Sequence, residues 1–134
     1  MYRIGIDCRL GGKRHAGIGR YIESFLGELS NLNQNRVHFV LFFYDATQCA
    51  DIKKALGADK PFWQAVEIIY IPIKHYSLKE QLTLPSVFNS QHLDLLHVPH
   101  FNIPIMYDRP MVVTIHDLLW HEFKGADVTT LPLW

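Results

Sequence analysis

A glycine-rich segment is the first stretch of this sequence whose residue types could do chemistry. It runs Arg9-Leu-Gly-Gly-Lys-Arg-His-Ala-Gly-Ile-Gly19, between a predicted buried strand and a predicted helix. Glycines let the backbone approach a ligand closely, and a helix N-terminus offers unpaired N–H groups and a partial positive charge. Ligands of open α/β sheets lie beyond the carboxyl ends of the strands, where this segment falls. The segment therefore predicts a phosphate or pyrophosphate site, with a purely structural turn as the alternative.

This glycine-rich segment matches neither of two common phosphate motifs. A Walker A loop has Ser or Thr after its lysine, whereas Arg14 follows Lys13 here. A dinucleotide fingerprint needs Gly-x-Gly-x-x-Gly, but Gly17-Ile-Gly19 is followed by Ile22. ATP and NAD are therefore disfavoured as ligands. A basic cluster in the first twenty positions would still suit an anion, although scattered solvated bases are an equal alternative: Arg3, Arg9, Lys13, Arg14 and Arg20 stand against the single acid Asp7.

The second candidate is Thr114-Ile-His116-Asp117, at the predicted end of the fifth strand. A histidine that leaves a buried strand at the ligand-binding edge of a sheet can donate a hydrogen bond to a substrate, and Asp117 can orient its ring. The alternative is a buried histidine that is satisfied by a backbone carbonyl. His116 and Asp117 are thus the candidate catalytic residues.

The third candidate is His97-Val-Pro-His100-Phe-Asn102, after the fourth predicted strand. Together with His116, Asp117 and His121, it raises the question of a zinc site. No His-x-x-x-His spacing places two ligands on one helical face, and no cysteine joins them, so no metal is expected. A polar loop that lines a cleft beside His116 is the favoured interpretation.

Composition narrows the class of protein. The chain has 134 residues, 49% of them hydrophobic, with 13 acidic and 13 basic residues. A disordered chain would have fewer apolar residues and a larger net charge, and a nucleic-acid binder would carry a basic excess. The longest apolar run, Phe39 to Tyr44, is much shorter than the roughly 18 residues that span a bilayer. We expect one globular domain that does not bind nucleic acid.

The N-terminus and the cysteines bear on the cellular compartment. The first residues show no signal-peptide pattern, and Cys8 and Cys49 make no disulfide framework. The expected location is the cytoplasm, or the periphery of the inner face of the membrane.

Short apolar runs alternate with amphipathic stretches along the chain. Helices are predicted from Gly19 to Leu32, from Cys49 to Leu56, and from the capping box Ser77-Leu-Lys-Glu80 onward, where Pro85 should kink or restart the helix. Strands that are apolar throughout are typical of a parallel sheet covered on both faces. The order predicts an α/β, Rossmann-like parallel sheet with helices on both faces. Its five strands are Arg3 to Cys8, Val37 to Tyr44, Val66 to Ile71, Leu93 to Val98 and Met111 to Ile115.

Four motifs together resemble the N-terminal domain of glycosyltransferase family 4. They are Ile4-Gly-Ile-Asp-Cys-Arg9, Ala16-Gly-Ile-Gly-Arg-Tyr21, Asp94-Leu-Leu-His-Val-Pro-His-Phe-Asn-Ile-Pro104 and Val112-Val-Thr-Ile-His-Asp117. They cover nearly the whole chain in the order of the family. The resemblance implies a retaining, nucleotide-sugar-dependent enzyme of the GT-B fold, in which two Rossmann-like domains face a cleft. Residues 1–134 would form the acceptor-side domain, and a second domain would hold most of the donor.

The resemblance also implies roles for particular residues. Gly17 and Gly19 match the glycine loop whose amides approach the donor pyrophosphate, and Arg20 stands with them. His116 matches the histidine near the transferred sugar, and no cofactor or metal is implied. The residues that would line the side of a carbohydrate or lipid-linked acceptor are His97, His100 and Asn102.

One feature of the family is missing from the sequence. The second domain of the family carries a Glu-x7-Glu pair, yet no two of the five glutamates here are eight positions apart. No recognisable helix follows the fifth predicted strand either. We therefore expect that the donor-binding domain is absent, that the chain alone is inactive, and that exposed apolar surface makes it dimerise. The alternative is a stand-alone Rossmann-like module that recruits a partner subunit.

Overall fold

Five parallel strands form a single sheet in the order β3-β2-β1-β4-β5. The computed structural model describes residues 1–32 and 35–117. All four pairs of neighbouring strands are parallel, so the predicted Rossmann-like α/β sheet is confirmed. Each predicted strand overlaps its observed counterpart. The strands are Tyr2–Asp7 (β1), Val37–Phe43 (β2), Glu67–Tyr70 (β3), Leu95–Val98 (β4) and Met111–Val113 (β5).

Helices cover both faces of this sheet, as predicted. On one face, the helix residues Leu26, Ile52 and Trp63 belong to a single apolar core with the strands. On the other face, Leu84 and Phe88 pack into a second core. The helices are α1 (Ala16–Leu29), α2 (Ala46–Leu56), α3 (Phe62–Ala65) and α4 (Leu78–Ser90), and a 3₁₀ turn at Lys13–His15 precedes α1.

Strand β2 shows why its apolar run lacks a polar alternation. Successive side chains of a strand point to opposite faces. Phe39, Leu41 and Phe43 therefore enter the core under α1–α3, whereas Val40 and Phe42 enter the core under α4. All five are at most 7% exposed, so both faces of β2 are buried.

Local chemistry sets the ends of the first two helices. Asp45 Oδ1 accepts a hydrogen bond from Gln48 N over 2.7 Å, which starts α2 at Ala46 rather than at the predicted Cys49. Helix α1 ends at Leu29, where Ser30 Oγ donates to a carbonyl of the last turn. Leu32 is therefore exposed, and its predicted place on the apolar face of the helix is wrong.

Helix α4 begins at the predicted cap. Ser77 Oγ accepts from Glu80 N over 3.1 Å, but the Glu80 carboxylate accepts from Tyr76 N rather than closing a regular capping box. Pro85 has no N–H to donate to the carbonyl of Gln81, yet the helix runs unbroken to Ser90. The predicted restart at Pro85 is wrong, and the alternative, a kink, stays a prediction. The sequence pattern also does not predict the short helix α3.

The strand order creates a switch point beside β1. The chain moves outward from β1 to β2 and β3, and then returns to place β4 on the other side of β1. Connections that leave β1 and β4 therefore diverge, and open α/β sheets bind ligands in the crevice that results. The prediction that no helix follows the fifth strand, and the candidate residue His121, concern residues 118–134, which lie outside the described residues.

Candidate functional site

A small cleft opens at the carboxyl edge of β1 and β4. It measures about 220 Å³, counting the part that is open to solvent. Its position is the switch point of the sheet, where a ligand site is expected. Its polar lining residues are Asp7, Arg9, His75, His100 and Asn102.

A buried guanidinium forms one wall of the cleft. Arg9 is 1% exposed and binds Asp7 in a bidentate manner, with Nε 2.9 Å from Oδ1 and Nη2 2.8 Å from Oδ2. The same Nη2 donates to Glu80 Oε1 over 2.9 Å. Because two carboxylates face one guanidinium, this trio carries a formal charge of −1. An anion is therefore disfavoured at this wall, whereas hydroxyl groups, which can donate to carboxylate oxygens, are favoured.

Glu80 is held by four hydrogen-bonding groups. In addition to Arg9, its carboxylate lies 3.3 Å from His75 Nδ1 and accepts from Asn102 Nδ2 over 2.7 Å and from Tyr76 N over 2.8 Å. Burial alone would raise the pKa of this carboxyl. The hydrogen bonds from His75 and Asn102 and the charge of Arg9 outweigh burial and lower its pKa from 4.5 to about 2. Glu80 is therefore an anion across the physiological range.

His100 has a defined tautomer. The backbone N–H of Asn102 donates to His100 Nδ1 over 3.0 Å, so Nδ1 is an acceptor. Nε2 then carries the proton and donates to the Tyr76 hydroxyl over 2.8 Å. Burial, followed by repulsion from His75, lowers the pKa of His100 from 6.5 to about 4. His100 is therefore a neutral ring with a fixed orientation. It contacts Asn102, which is also a predicted acceptor-side residue.

His75 offers a buried polar atom to the cleft. Its Nδ1 faces Glu80, while its Nε2 is buried and has no hydrogen-bond partner among residues 1–32 and 35–117. A buried polar atom without a partner is costly, so His75 Nε2 is an atom that a ligand or an ordered water can satisfy. The ring also meets His15, at 6.0 Å between centroids, which ties the glycine-rich segment to the cleft.

His116 lies at the same edge as the cleft and is exposed. Its Nε2 donates to the Pro99 carbonyl over 2.9 Å, and its ring stands edge-on to Tyr21 at 4.8 Å between centroids. The hydrogen bond to a backbone carbonyl agrees with the alternative interpretation, a structural histidine. The burial of the ring that this alternative predicts is not observed. In the neutral ring Nδ1 is then an acceptor, so the ring can donate to a substrate only when it is protonated. Asp117 is exposed beside it.

His97 is not part of the cleft lining. It lies within β4, where Leu96 and Val98 face the core under α4, so its ring points the other way. There it stands edge-on to Phe25 and lies 3.0 Å from Thr114 Oγ1. Burial lowers the pKa of His97. The structure therefore brings His100 and Asn102 together and leaves His97 under α1.

Gly17 and Gly19 differ sharply in their surroundings. A Cβ at Gly17 would meet nothing within 4 Å, so its backbone is open to a ligand. A Cβ at Gly19 would clash with the carbonyl oxygen of Gly12, so Gly19 lets α1 pack tightly on the preceding loop. The first N–H groups of α1 receive no hydrogen bond from a capping side chain.

One turn of helix joins Gly17 to the histidine site. Gly17 and Tyr21 are four positions apart on α1, so they share a face. Tyr21 contacts His116, and its hydroxyl lies 3.3 Å from Thr114 Oγ1. The predicted donor and catalytic positions are therefore neighbours at one edge of the sheet.

The predicted basic cluster is only partly present. Arg3 lies at the amino end of β1, where it pairs with Glu67 over 3.1 Å. Arg9 is buried and neutralised by carboxylates. Their assignment to an anion site is wrong, because a count of charges does not tell which of them are already paired. The bases that remain exposed around the glycine-rich segment are Lys13, Arg14 and Arg20.

Sequence reasoning missed part of the cleft. Asp7 ends β1 and Arg9 follows two positions later, at the binding edge of the sheet, which is a signal that could have identified them. Glu80 stood out only as a capping residue, and His75 and Tyr76 carried no signal. Their common feature is contact with Glu80, which depends on tertiary structure.

Three further properties of the chain bear on its function. Among the described residues, no group of three His, Cys, Asp or Glu side chains is arranged to hold a metal ion. None of the helices in the same residues is long and apolar enough to cross a membrane. No protein-family model, curated protein or solved structure matches the chain.

Proposed function

We propose that this chain is the acceptor-side, N-terminal domain of a retaining glycosyltransferase that acts in the cytoplasm and takes its sugar from a nucleotide-sugar donor. The observation that carries the proposal is the meeting of separate motifs at one edge. Asp7 and Arg9 come from the first motif, His100 and Asn102 from the third, and His116 from the fourth. Ligand sites of open α/β sheets form at such a switch-point cleft, so this convergence supports a binding role.

The chemistry of the cleft suits an acceptor rich in hydroxyl groups. Its buried trio has a net negative charge, and His75 Nε2 is a buried polar atom without a partner among the described residues. Both features favour a neutral, hydrogen-bonding ligand over a phosphate. The acceptor of the proposed reaction is such a molecule.

The N-terminus of α1 suits the diphosphate of the donor. Gly17 is open, and uncapped N–H groups at the start of a helix attract anions. Three exposed cations lie within four positions of Gly17 in the chain: Lys13, Arg14 and Arg20. The donor would thus lie on the α1 side of His116, and the acceptor on the side of the cleft.

The proposed reaction is a front-face displacement. The acceptor hydroxyl oxygen forms a bond to the anomeric carbon as the bond to the diphosphate oxygen breaks on the same face. The acceptor proton passes to the departing diphosphate, so atoms and charges balance. N–H groups near Gly17 and the nearby cations stabilise the negative charge on the leaving group. His116 holds a hydroxyl of the sugar at the reacting centre.

A product assay on the complete reading frame tests this proposal. We expect the codons after Trp134 to encode a second domain with a Glu-x7-Glu pair, and the full protein to transfer sugar from UDP- or GDP-sugars with retention of configuration. A reading frame that ends without such a domain, together with tight binding of another protein, would favour the stand-alone module and contradict the proposal.

A further inference from the structure

The side chain of Gln48 binds a cluster of backbone carbonyls at the start of the glycine-rich segment. Its Nε2 donates to the carbonyl oxygens of Cys8, Arg9 and Gly11, over 3.2, 2.8 and 2.8 Å. Its Oε1 accepts from Tyr44 N over 2.7 Å. The orientation of the amide is therefore fixed, because only its NH₂ group can donate to carbonyls.

Gln48 reaches the glycine-rich segment from another element of the fold. It lies in the first turn of α2, where its own N–H is capped by Asp45, and Tyr44 directly follows β2. Its side chain thus joins three places at the carboxyl edge of the sheet: the loop after β1, the end of β2 and the start of α2. These contacts hold the loop after β1 in one conformation.

The hydrogen bonds of Gln48 also decide which way the peptide groups of this loop point. Carbonyl oxygens carry a partial negative charge, whereas the anion sites of loops are built from N–H groups. In a planar trans peptide, the N–H group points opposite to the carbonyl. The carbonyls of Arg9 and Gly11 face Gln48. The N–H groups of Leu10 and Gly12, which share those peptide planes, therefore point away from it, and neither has an acceptor among the residues that the structure describes.

Gly12 connects this loop to the N-terminus of α1. Its φ of 93° is one that glycine adopts readily, and its carbonyl accepts from His15 N over 3.3 Å. The same carbonyl lies so close to Gly19 that no Cβ fits between them. Because Gly12 directly follows the last carbonyl that Gln48 binds, the first turn of α1, with Gly17 in it, is positioned relative to α2.

We propose that Gln48 is a positioning residue for the donor diphosphate. It turns three carbonyl oxygens away from an anionic ligand, keeps the N–H groups of the loop available, and fixes the loop on which the first turn of α1 packs. It does not touch the diphosphate itself. This inference rests on the proposed function, because the diphosphate site at the N-terminus of α1 is part of that proposal.

An NMR titration of the 134-residue chain with inorganic pyrophosphate tests the inference. In the wild type, pyrophosphate should shift the backbone amide signals of Leu10, Gly12 and Gly17. Gln48→Met keeps the length of the side chain but has no donor. It should weaken binding roughly tenfold, comparable with the loss of one hydrogen bond to a charged group. Gln48→Glu keeps an acceptor for Tyr44 N but replaces the donor by an anion, and should weaken binding further.

Gln64 provides a matched control. It is exposed on α3, which packs on the same face of the sheet as α2. Gln64→Met and Gln64→Glu should leave the Kd for pyrophosphate unchanged. Thermal melting of all four variants separates positioning from simple stabilisation, because a purely structural side chain would lower the melting temperature without changing the Kd of the folded chain.

Steady-state kinetics of the complete enzyme give a second readout. Gln48→Met should lower kcat/KM for the donor by roughly 10²-fold, the scale expected when a binding group is misplaced by about 1 Å. The KM for the acceptor should change little, because the bonds of Arg9 to Asp7 and Glu80 remain.

Two outcomes would overturn the inference, and they differ in what they mean for the proposed function. If pyrophosphate binds the wild type and Gln48→Met equally well, the donor site stands and Gln48 only stabilises the loop. If pyrophosphate shifts no amide signal in the wild type, the donor site at Gly17 fails together with the inference. Should Gln48→Met unfold, Gln48→Glu, which keeps the size of the side chain and its bond to Tyr44, decides between them.

Discussion

Arg9 and Glu80 are 71 positions apart in the sequence and meet in the interior, with Nη2 of Arg9 2.9 Å from Oε1 of Glu80. Arg9 lies two positions after the end of β1, and Glu80 belongs to the first turn of α4. The pair therefore joins the connection that leaves β1 to the helix that precedes β4, and the bidentate bond to Asp7 fixes the guanidinium in place. The wall of the cleft is thus a structural unit.

Replacing Arg9 should destabilise the fold strongly. Arg9→Met keeps much of the side-chain volume but leaves Asp7 and Glu80 as two uncompensated buried charges. Breaking a buried ion pair in this way costs roughly 3–5 kcal/mol of unfolding free energy. Urea denaturation measures the difference. The exposed Arg14→Met should change stability by less than about 0.5 kcal/mol, and equal effects of the two variants would contradict the ion-pair account.

Acid should lower the free energy of unfolding over two successive pH ranges. His100 has a folded pKa of about 4, below its ordinary 6.5, so the unfolded chain binds more protons between these values and stability falls as pH falls from 6.5 to 4. Glu80 has a folded pKa of about 2, below its ordinary 4.5, so its contribution is lost as pH falls from 4.5 to 2. Each range should cost about 3 kcal/mol. Urea denaturation across pH measures both.

A variant of His100 separates the two ranges. His100→Asn keeps an acceptor for the Asn102 N–H group but does not titrate. The loss of stability between pH 6.5 and 4 should therefore shrink in this variant, while the loss below pH 4.5 should remain. An unchanged profile would show that another group causes the upper range. NMR of the wild-type imidazole nitrogens should show protonated Nε2 and unprotonated Nδ1 at neutral pH.

Apolar periodicity predicts most of this fold because both faces of the sheet are buried. Every residue of β2 from Phe39 to Phe43 is apolar and buried, so the apolar run is enough to predict a strand here. Leu32 continues the helical period of α1 equally well. It is nevertheless exposed, because Ser30 ends the helix through a local hydrogen bond that periodicity does not register.

The candidate site was harder to predict, because its members are chosen by tertiary contacts. His97 and His100 stand three positions apart and look equivalent in the sequence. One belongs to β4, whose alternation turns its ring toward Phe25, and the other belongs to the following loop, at the cleft. From the sequence alone, Arg9 is likewise a cation available to a ligand. The structure shows that Glu80, from a helix distant in sequence, pairs with it.

The two glycines of α1 should respond in opposite ways to a methyl group. Gly17→Ala adds its Cβ in open space and removes a flexible residue from a helix, so stability should rise by about 0.5–1 kcal/mol. Gly19→Ala forces its Cβ against the Gly12 carbonyl, which should cost roughly 2–3 kcal/mol. Thermal melting of both variants measures this contrast.

The same glycine tests the donor site of the proposed enzyme. Gly17→Ala, and more strongly Gly17→Val, should reduce turnover of the complete protein although the fold persists, since the side chain blocks close approach of the diphosphate. Normal turnover of Gly17→Val would remove Gly17 from the donor site.

His116 should affect transfer more than folding. It is exposed, and its contacts in the described chain are one carbonyl hydrogen bond and one ring contact with Tyr21. In the complete enzyme, His116→Ala should lower kcat by roughly 10²- to 10³-fold, because the sugar loses the hydrogen bond that positions it at the reacting centre. Its melting temperature should change little. A variant that unfolds, while its folded fraction turns over normally, would identify a structural histidine.

The 134-residue chain by itself should bind nucleotide sugars weakly and should not transfer sugar. Its cleft is small and partly open to solvent, whereas the sites of small molecules bury most of the surface of the ligand. The open backbone at Gly17 can supply a few hydrogen bonds to a diphosphate, but fixing a flexible ligand on an open edge costs entropy. We expect a Kd of about 1 mM or weaker, equivalent to about 4 kcal/mol, by calorimetric titration with UDP- and GDP-sugars. Gly17→Val should abolish even this binding, whereas Leu32→Glu should not change it. Micromolar affinity, or product formed by this chain alone, would mean that the donor site is already complete without a second domain.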